Sequence, residues 1–139
     1  MQLQSYLAFN GNCEEAINFY KDVFDGEIVM ISRFKEAPEN MMCVPDEAKE
    51  LIMHATLQIQ GSVLMASDTV ESDKFIQGNN YSISVNVKNV DEASTIFNSL
   101  AEGGNIMMPF DDAFWGGKFG MLADQFGVQW MLSSEHKPS

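Results

Sequence analysis

An α+β fold is predicted, built from two tandem β-α-β-β-β modules whose curved mixed sheets surround a cleft. Three observations predict it. One helix-opening signal occurs twice, strand-like segments flank both copies in the same order, and those segments alternate apolar with polar residues. At 139 residues and 15.5 kDa the chain is expected to be a single domain over 1–139, with module one at about 1–70 and module two at about 78–135. A composition 45% hydrophobic and 20% charged supplies a core and argues against disorder.

The elements follow in order. A strand is expected over Gln4–Phe9. Asn12-Cys13-Glu14-Glu15-Ala16 then reads as a capping box, in which the Asn side chain accepts from first-turn amides and Glu15 reaches back. Ala16, Ile17, Phe19, Tyr20, Val23 and Phe24 follow at helical spacing, and Gly26 is expected to stop the helix. Strands are expected at Glu27–Phe34, Leu51–Ile59 and Ser62–Ser67, the last two joined at Gln60-Gly61.

The second copy begins with a strand over Tyr81–Val87. Asn89-Val90-Asp91-Glu92-Ala93 repeats the capping box. Ala93, Ile96, Phe97, Leu100 and Ala101 make the apolar stripe, and Gly103-Gly104 ends it. Strands are expected at Asn105–Met108, Lys118–Ala123 and Val128–Ser133, with Asp124-Gln125-Phe126-Gly127 turning between the last two.

Period-two alternation assigns the sheet faces. Met53, Ala55, Leu57 and Ile59 alternate with His54, Thr56, Gln58 and Gln60. Ile83, Val85 and Val87 alternate with Ser84 and Asn86, while Val128, Trp130 and Leu132 alternate with Gln129, Met131 and Ser133. The apolar faces are expected to sit under the helices. The others mix Ser, Thr, Asn, Gln, one His and several Met, whereas plain solvent-facing strands carry more Lys and Glu. Such a surface suits a pocket for a small molecule, or else a buried seam between subunits.

Twenty acidic residues against eight basic ones give a net charge of -12, with Arg33 the single arginine. That balance disfavours nucleic acid and anionic membrane as partners. No stretch approaches the roughly 20 apolar residues of a membrane helix. The first residues show neither a basic segment nor an apolar signal core, so a cytoplasmic location is expected. The two cysteines, Cys13 and Cys43, lack metal-knuckle spacing and are expected to be free thiols.

The paired modules, Asn10-Gly11-Asn12-Cys13-Glu14-Glu15-Ala16-Ile17-Asn18-Phe19-Tyr20, Phe114-Trp115-Gly116-Gly117-Lys118-Phe119-Gly120 and Asp124-Gln125-Phe126-Gly127-Val128-Gln129-Trp130-Met131 resemble the vicinal oxygen chelate superfamily. That group includes glyoxalase I, bleomycin-resistance proteins and extradiol dioxygenases. Tyr6-Leu7-Ala8-Phe9 and Met53-His54-Ala55 also look like its PhnB-like branch, which sometimes carries a demethylubiquinone methyltransferase label. The resemblance spans nearly the whole chain. It implies a homodimer, and a metal held by one ligand on the first and one on the last strand of each module.

Alignment through the capping boxes and the final turn puts Ser5 and Met65 at the first module's ligand positions, and Ser82 and Met131 at the second's. Hydroxyl and thioether groups are poor ligands for hard or borderline divalent ions, and no one-residue slip supplies a His/carboxylate set. A metal-free protein without a cofactor is therefore expected.

Ser5, His54, Met65, Ser82, Trp115, Lys118 and Met131 are the candidate cleft residues, with no catalytic residue assigned. His54 is read either as a ligand-orienting group or general base, or as a hydrogen-bonded inward polar residue. Trp115 and Lys118 offer a ring and a positive charge beside paired glycines, or a loop anchored by aromatic packing. Cys13, on the first turn of a helix that lowers thiol pKa, is read as a nucleophile or as packing. The connection from Lys35 to Glu50, with Met41 and Met42, is a lid candidate. Adjacent Asp111 and Asp112 are expected to face opposite sides of a strand.

The leading expectation is binding of a small neutral or weakly anionic molecule. The alternatives are a glyoxalase-type metal-dependent lyase or dioxygenase, a methyltransferase, and a dimeric interaction module without ligand. No GxGxxG segment supports the methyltransferase.

Overall fold

The computed structural model describes residues 1–38 and 44–135. Two compact units divide the chain, Met1–Ile76 and Gln77–Ser139. The first runs β1 (Ser5–Phe9), α1 (Cys13–Phe24), β2 (Glu27–Arg33), β3 (Ile52–Ile59) and β4 (Ser62–Asp68). The second runs β5 (Ile83–Val87), α2 (Val90–Ala101), β6 (Asn105–Asp112), β7 (Lys118–Ala123) and β8 (Gln129–Ser134). Short 3-10 turns lie at Phe34–Glu36, Asp46–Ala48 and Ser72–Lys74.

Each unit builds a four-stranded mixed sheet of the same topology, ordered β1-β4-β3-β2 in one and β5-β8-β7-β6 in the other. The outer strand β1 runs parallel to β4, as β5 does to β8, and the remaining pairs are antiparallel. The predicted α+β class and β-α-β-β-β order hold in both units.

One helix covers one face of each sheet. Helix α1 buries Cys13, Ala16, Ile17 and Tyr20, and α2 buries Ala93, Ile96, Phe97 and Leu100. Beneath them lie Leu7, Phe9, Ala55, Leu57, Leu64 and Ala66 in the first unit, and Leu122, Trp130 and Leu132 in the second. Burying a side chain such as Ile17 or Leu100 contributes roughly 1.5–3 kcal/mol.

The two helix starts differ. Asn89 caps α2 as its sequence predicts, its side chain accepting from the Glu92 amide at 2.9 Å. Asn12 makes no such bond. The cap of α1 comes instead from the end of β4, where Asp68 Oδ1 accepts from the amides of Gly11 (3.0 Å) and Cys13 (2.9 Å). Its other oxygen accepts from the Ile52 amide at 2.9 Å. One carboxylate, 5% exposed, thus ties β4 to both α1 and β3.

At the end of α1 the left-handed residue is Asp25 (φ 53°, ψ 47°), not Gly26; aspartate tolerates this region better than most side chains. Strand β6 runs to Asp112, beyond the expected end at Met108. Its Pro109 is tolerated because β6 is an edge strand, and its register shifts around Met108.

Candidate functional site

In the first unit the strand register decides which residues share the face turned away from α1. Tyr6 stands beside Met65, Met65 beside Thr56, and Thr56 beside Met30. The next row holds Ala8 beside Ser67, and Ser32 beside His54. Neither row carries a charge, which stands out in a chain of net charge -12.

His54 is the hub of this face. Its Nδ1 lies 3.1 Å from the Tyr6 hydroxyl and its Nε2 lies 2.9 Å from Thr56 Oγ1. The Tyr6 and His54 rings are 5.6 Å apart, centre to centre. Both ring nitrogens are therefore held by hydroxyls of neighbouring side chains. The sheet makes this possible by placing His54 and Thr56 two residues apart on β3, on one face, while Tyr6 reaches across β4 from the edge.

Ser5 does not join this group. It stands beside Leu64, which is buried under the helix, so Ser5 and Met65 lie on opposite faces of the sheet. Tyr6 is the first-strand residue opposite Met65. The capping-box alignment misses this by one position, and one position is a change of face.

In the second unit Ser84, not Ser82, stands beside Met131; Ser82 falls just before β5. Met131 pairs in turn with Met121, and Met121 with Met108, giving three thioethers in one row. Lys118 opens β7 opposite Asp112 and Ser134, and its amide donates to Ser134 Oγ at 3.3 Å. Its ammonium makes no ion pair among the described residues.

Trp115 sits in the hairpin loop between β6 and β7. That loop closes through Ala113 N–H to Gly117 O at 2.9 Å and Gly116 N–H to Ala113 O at 3.0 Å. Gly116 and Gly117 both have positive φ, 103° and 72°, which explains the glycine pair. Trp115 packs edge-on against Phe114 and Phe119 at 4.9 and 5.5 Å, yet remains 61% exposed, and Phe114 98%. Asp111 and Asp112 are both exposed, and the Asp112 amide donates to Asp111 Oδ1 at 2.8 Å.

Cys13 is 0% exposed. Burial, with Asp68 and Glu14 nearby, pushes its thiol up to about 12, which outweighs the helix-terminus effect and leaves it a packing residue. Met41, Met42 and Cys43 of the lid candidate lie outside the described residues, as does His136. The base of that connection is joined by Phe34 N–H to Leu51 O and Lys35 N–H to Lys49 O. Arg33 braces it with two bonds to the Glu14 carboxylate, at 2.7 and 3.1 Å, and one to Glu50 O at 2.7 Å.

The divalent metal implied by the superfamily does not fit these residues. With the register read from the structure, the corner positions are Tyr6 and Met65 in one unit and Ser84 and Met131 in the other. Phenol, alcohol and thioether match neither hard nor borderline ions. Among the described residues no group of three or more His, Cys, Asp or Glu side chains could hold a metal ion.

Comparison with known proteins places the chain. The sequence pattern of the family described as 3-demethylubiquinone-9 3-methyltransferase matches residues 1–133. The chain is 34% identical to Protein YjdN of Escherichia coli over 143 aligned residues, covering 96% of this chain and 95% of that protein. It is similar to the crystal structure of PA1353 from Pseudomonas aeruginosa, at 40% identity, TM-score 0.88 and 99% of each chain. The Bacillus cereus PhnB protein, which carries the same methyltransferase name, is 33% identical with TM-score 0.80, over 96% of this chain and 99% of that one. The match along nearly the whole length and the doubled β-α-β-β-β topology agree: the chain belongs to the PhnB-like branch of the vicinal oxygen chelate superfamily, the 3-demethylubiquinone-9 3-methyltransferase family.

Proposed function

We propose that this PhnB-like protein binds a small neutral or weakly anionic molecule on the mixed face of its sheets, without the superfamily's metal and without a cofactor. One observation carries the reading: the uncharged face around His54, where Tyr6 and Thr56 hold both ring nitrogens and Met65 and Met30 flank them. Polar groups that fix an orientation, set among adaptable apolar ones, are what a ligand site needs. Met131 and Met121, with Trp115 packed on Phe119 of the same strand face, offer a second, apolar surface in the other unit, whereas Lys118 pairs with Ser134 and shares the opposite face with Leu122.

A lyase or dioxygenase of the glyoxalase type needs donors that the corner positions lack. The methyltransferase name belongs to the family description, and no GxGxxG turn accompanies it here. A homodimer is favoured by the exposed apolar runs on two edge strands, Val29-Met30-Ile31 and Ile106-Met107-Met108. Light scattering that gave a 15.5 kDa particle at micromolar concentration would refute the dimer.

A thermal-shift screen with divalent metals, metabolites, aromatic antibiotics and S-adenosylmethionine, paired with elemental analysis of the purified protein, tests the function. Stabilisation by a metabolite or antibiotic with no bound metal is expected. Stoichiometric tight Zn, Ni, Fe or Mn would overturn the reading, and stabilisation by the methyl donor alone would favour the methyltransferase.

A further inference from the structure

We infer that Tyr6, His54 and Thr56 form one directional hydrogen-bond chain that anchors a carbonyl or carboxylate oxygen of the ligand, with the Tyr6 hydroxyl as the donor. The inference rests on the small-molecule reading above and adds the chemical class of the ligand and the polarity of the site.

The argument is a count of protons. A neutral imidazole has one N–H and one lone-pair nitrogen, and here each nitrogen faces a hydroxyl oxygen, Tyr6 Oη at 3.1 Å and Thr56 Oγ1 at 2.9 Å. Only two arrangements satisfy both contacts. In one, Tyr6 donates to Nδ1, Nε2–H donates to Thr56, and the Thr56 O–H is left over. In the other, Thr56 donates to Nε2, Nδ1–H donates to Tyr6 Oη, and the Tyr6 O–H is left over. Either way the chain presents one spare O–H donor at one end and spare acceptor capacity at the other.

Position selects the end that meets the ligand. Tyr6 lies on the edge strand β1 and is 50% exposed, whereas Thr56 sits inside the sheet, half-buried between Met65 and Met30. An acceptor brought to the Tyr6 hydroxyl takes its proton in a hydrogen bond and fixes the second arrangement, with the imidazole proton on Nδ1. A cationic ligand could meet the Tyr6 oxygen's lone pair in the first arrangement, but it finds no charge to pair with. Among the described residues no carboxylate hydrogen-bonds to Tyr6, His54 or Thr56, and neither central row of the face carries a charge. The ligand therefore pairs an acceptor oxygen with an apolar or aromatic body that lies on the thioethers of Met65 and Met30.

Three probes sharing one ring separate the possibilities: benzoate, benzamide and benzylamine. Nitrogen-15 spectra of histidine-labelled protein, assigned with His54→Gln, report which ring nitrogen is protonated. Benzoate and benzamide should shift His54 saturably toward the Nδ1–H form, and benzylamine should not. Tyr6→Phe, which keeps the ring and its packing, should weaken both acceptor probes by about fivefold, the worth of one hydrogen bond. Tighter binding of benzylamine at this face would overturn the inference. Benzoate binding that perturbs Lys118 or Met131 and is unchanged in Tyr6→Phe would also overturn it, while leaving the small-molecule reading intact. No saturable shift at any residue, from any of the three, would count against both.

Discussion

Asp68 is the residue whose replacement the first unit should tolerate least for its size. Its two oxygens accept from the amides of Gly11, Cys13 and Ile52 at 2.9–3.0 Å. Cys13 and Ile52 are buried, so their amides have no water to turn to, whereas Gly11 is exposed. Asp68→Asn can keep the oxygen that serves Gly11 and Cys13, but its amide then meets the Ile52 N–H donor to donor. One buried amide loses its acceptor, and two charge-assisted bonds become neutral. The expected cost is about 1–3 kcal/mol, after the relief of an uncharged side chain is set against it. Asp68→Ala orphans both buried amides and should cost about 2–6 kcal/mol. Urea unfolding at pH 7, followed by circular dichroism with m unchanged, reads both values. If both variants fell within about 0.5 kcal/mol of the parent, or if Asn cost more than Ala, the carboxylate would not be the tie between α1, β3 and β4.

Three further outcomes follow from the same geometry. In a Cys43→Ser background, Cys13 should resist a thiol reagent at pH 8 in the native protein and react at once in denaturant; rapid native labelling would contradict its burial and its raised pKa. Because that pKa is raised, the neutral thiol's contribution is complete below the unfolded value of about 8.5 and is lost as pH climbs through about 12. Gly120→Ala should destabilise by about 1–3 kcal/mol, since a Cβ there would stand 2.7 Å from Phe97 Cε2 and 2.8 Å from Phe110 Cα, inside a ring pair already stacked at 5.4 Å; a neutral substitution would show that the pair moves apart freely. The hydrogen bond from Arg33 holds the Glu14 carboxyl below its ordinary range. The pair's contribution is thus present above about pH 4.3 and fades as pH falls through the lowered value, so the gap between parent and Glu14→Gln should close in acid. A gap independent of pH would point to packing instead.

Much of the fold was legible because its signals are local. Both helices, both hairpin turns and the alternation of β3, β5 and β8 rest on residues within a few positions of one another. The misses are long-range. Asn12 looks like a cap, but an acceptor from the end of β4 occupies the helix start, and no nearby sequence announces a partner so far along the chain. The face of Ser5 depends on the parallel register of β1 against β4, which packing sets and a turn does not. His54 was visible as the single histidine of the strands. Its partner Tyr6 was not, although the alternation that exposes Thr56 beside it was already readable. The thiol of Cys13 shows the same limit: a helix position predicts a lowered pKa, and only three-dimensional burial reverses it.

The duplication sharpens the question of what each half does. Equivalent rows cross the two sheets, Tyr6-Met65-Thr56-Met30 in one unit and Ser84-Met131-Met121-Met108 in the other. The last-strand corner is methionine in both, so the departure from chelating donors is common to the two halves. Everything else in the rows differs. The first unit keeps hydroxyls that can hold an imidazole, whereas the second replaces them with thioethers and a small serine. A chelating site would hold every corner to a donor suited to the ion, such as His or carboxylate, though not to one residue type. A site that recognises an unsymmetrical molecule has no such need. The first unit's row offers direction through hydrogen bonds, and the second unit's row offers adaptable apolar contact. Divergence of this kind, on scaffolds of identical topology, accords with the proposed binding of an organic ligand with one polar end.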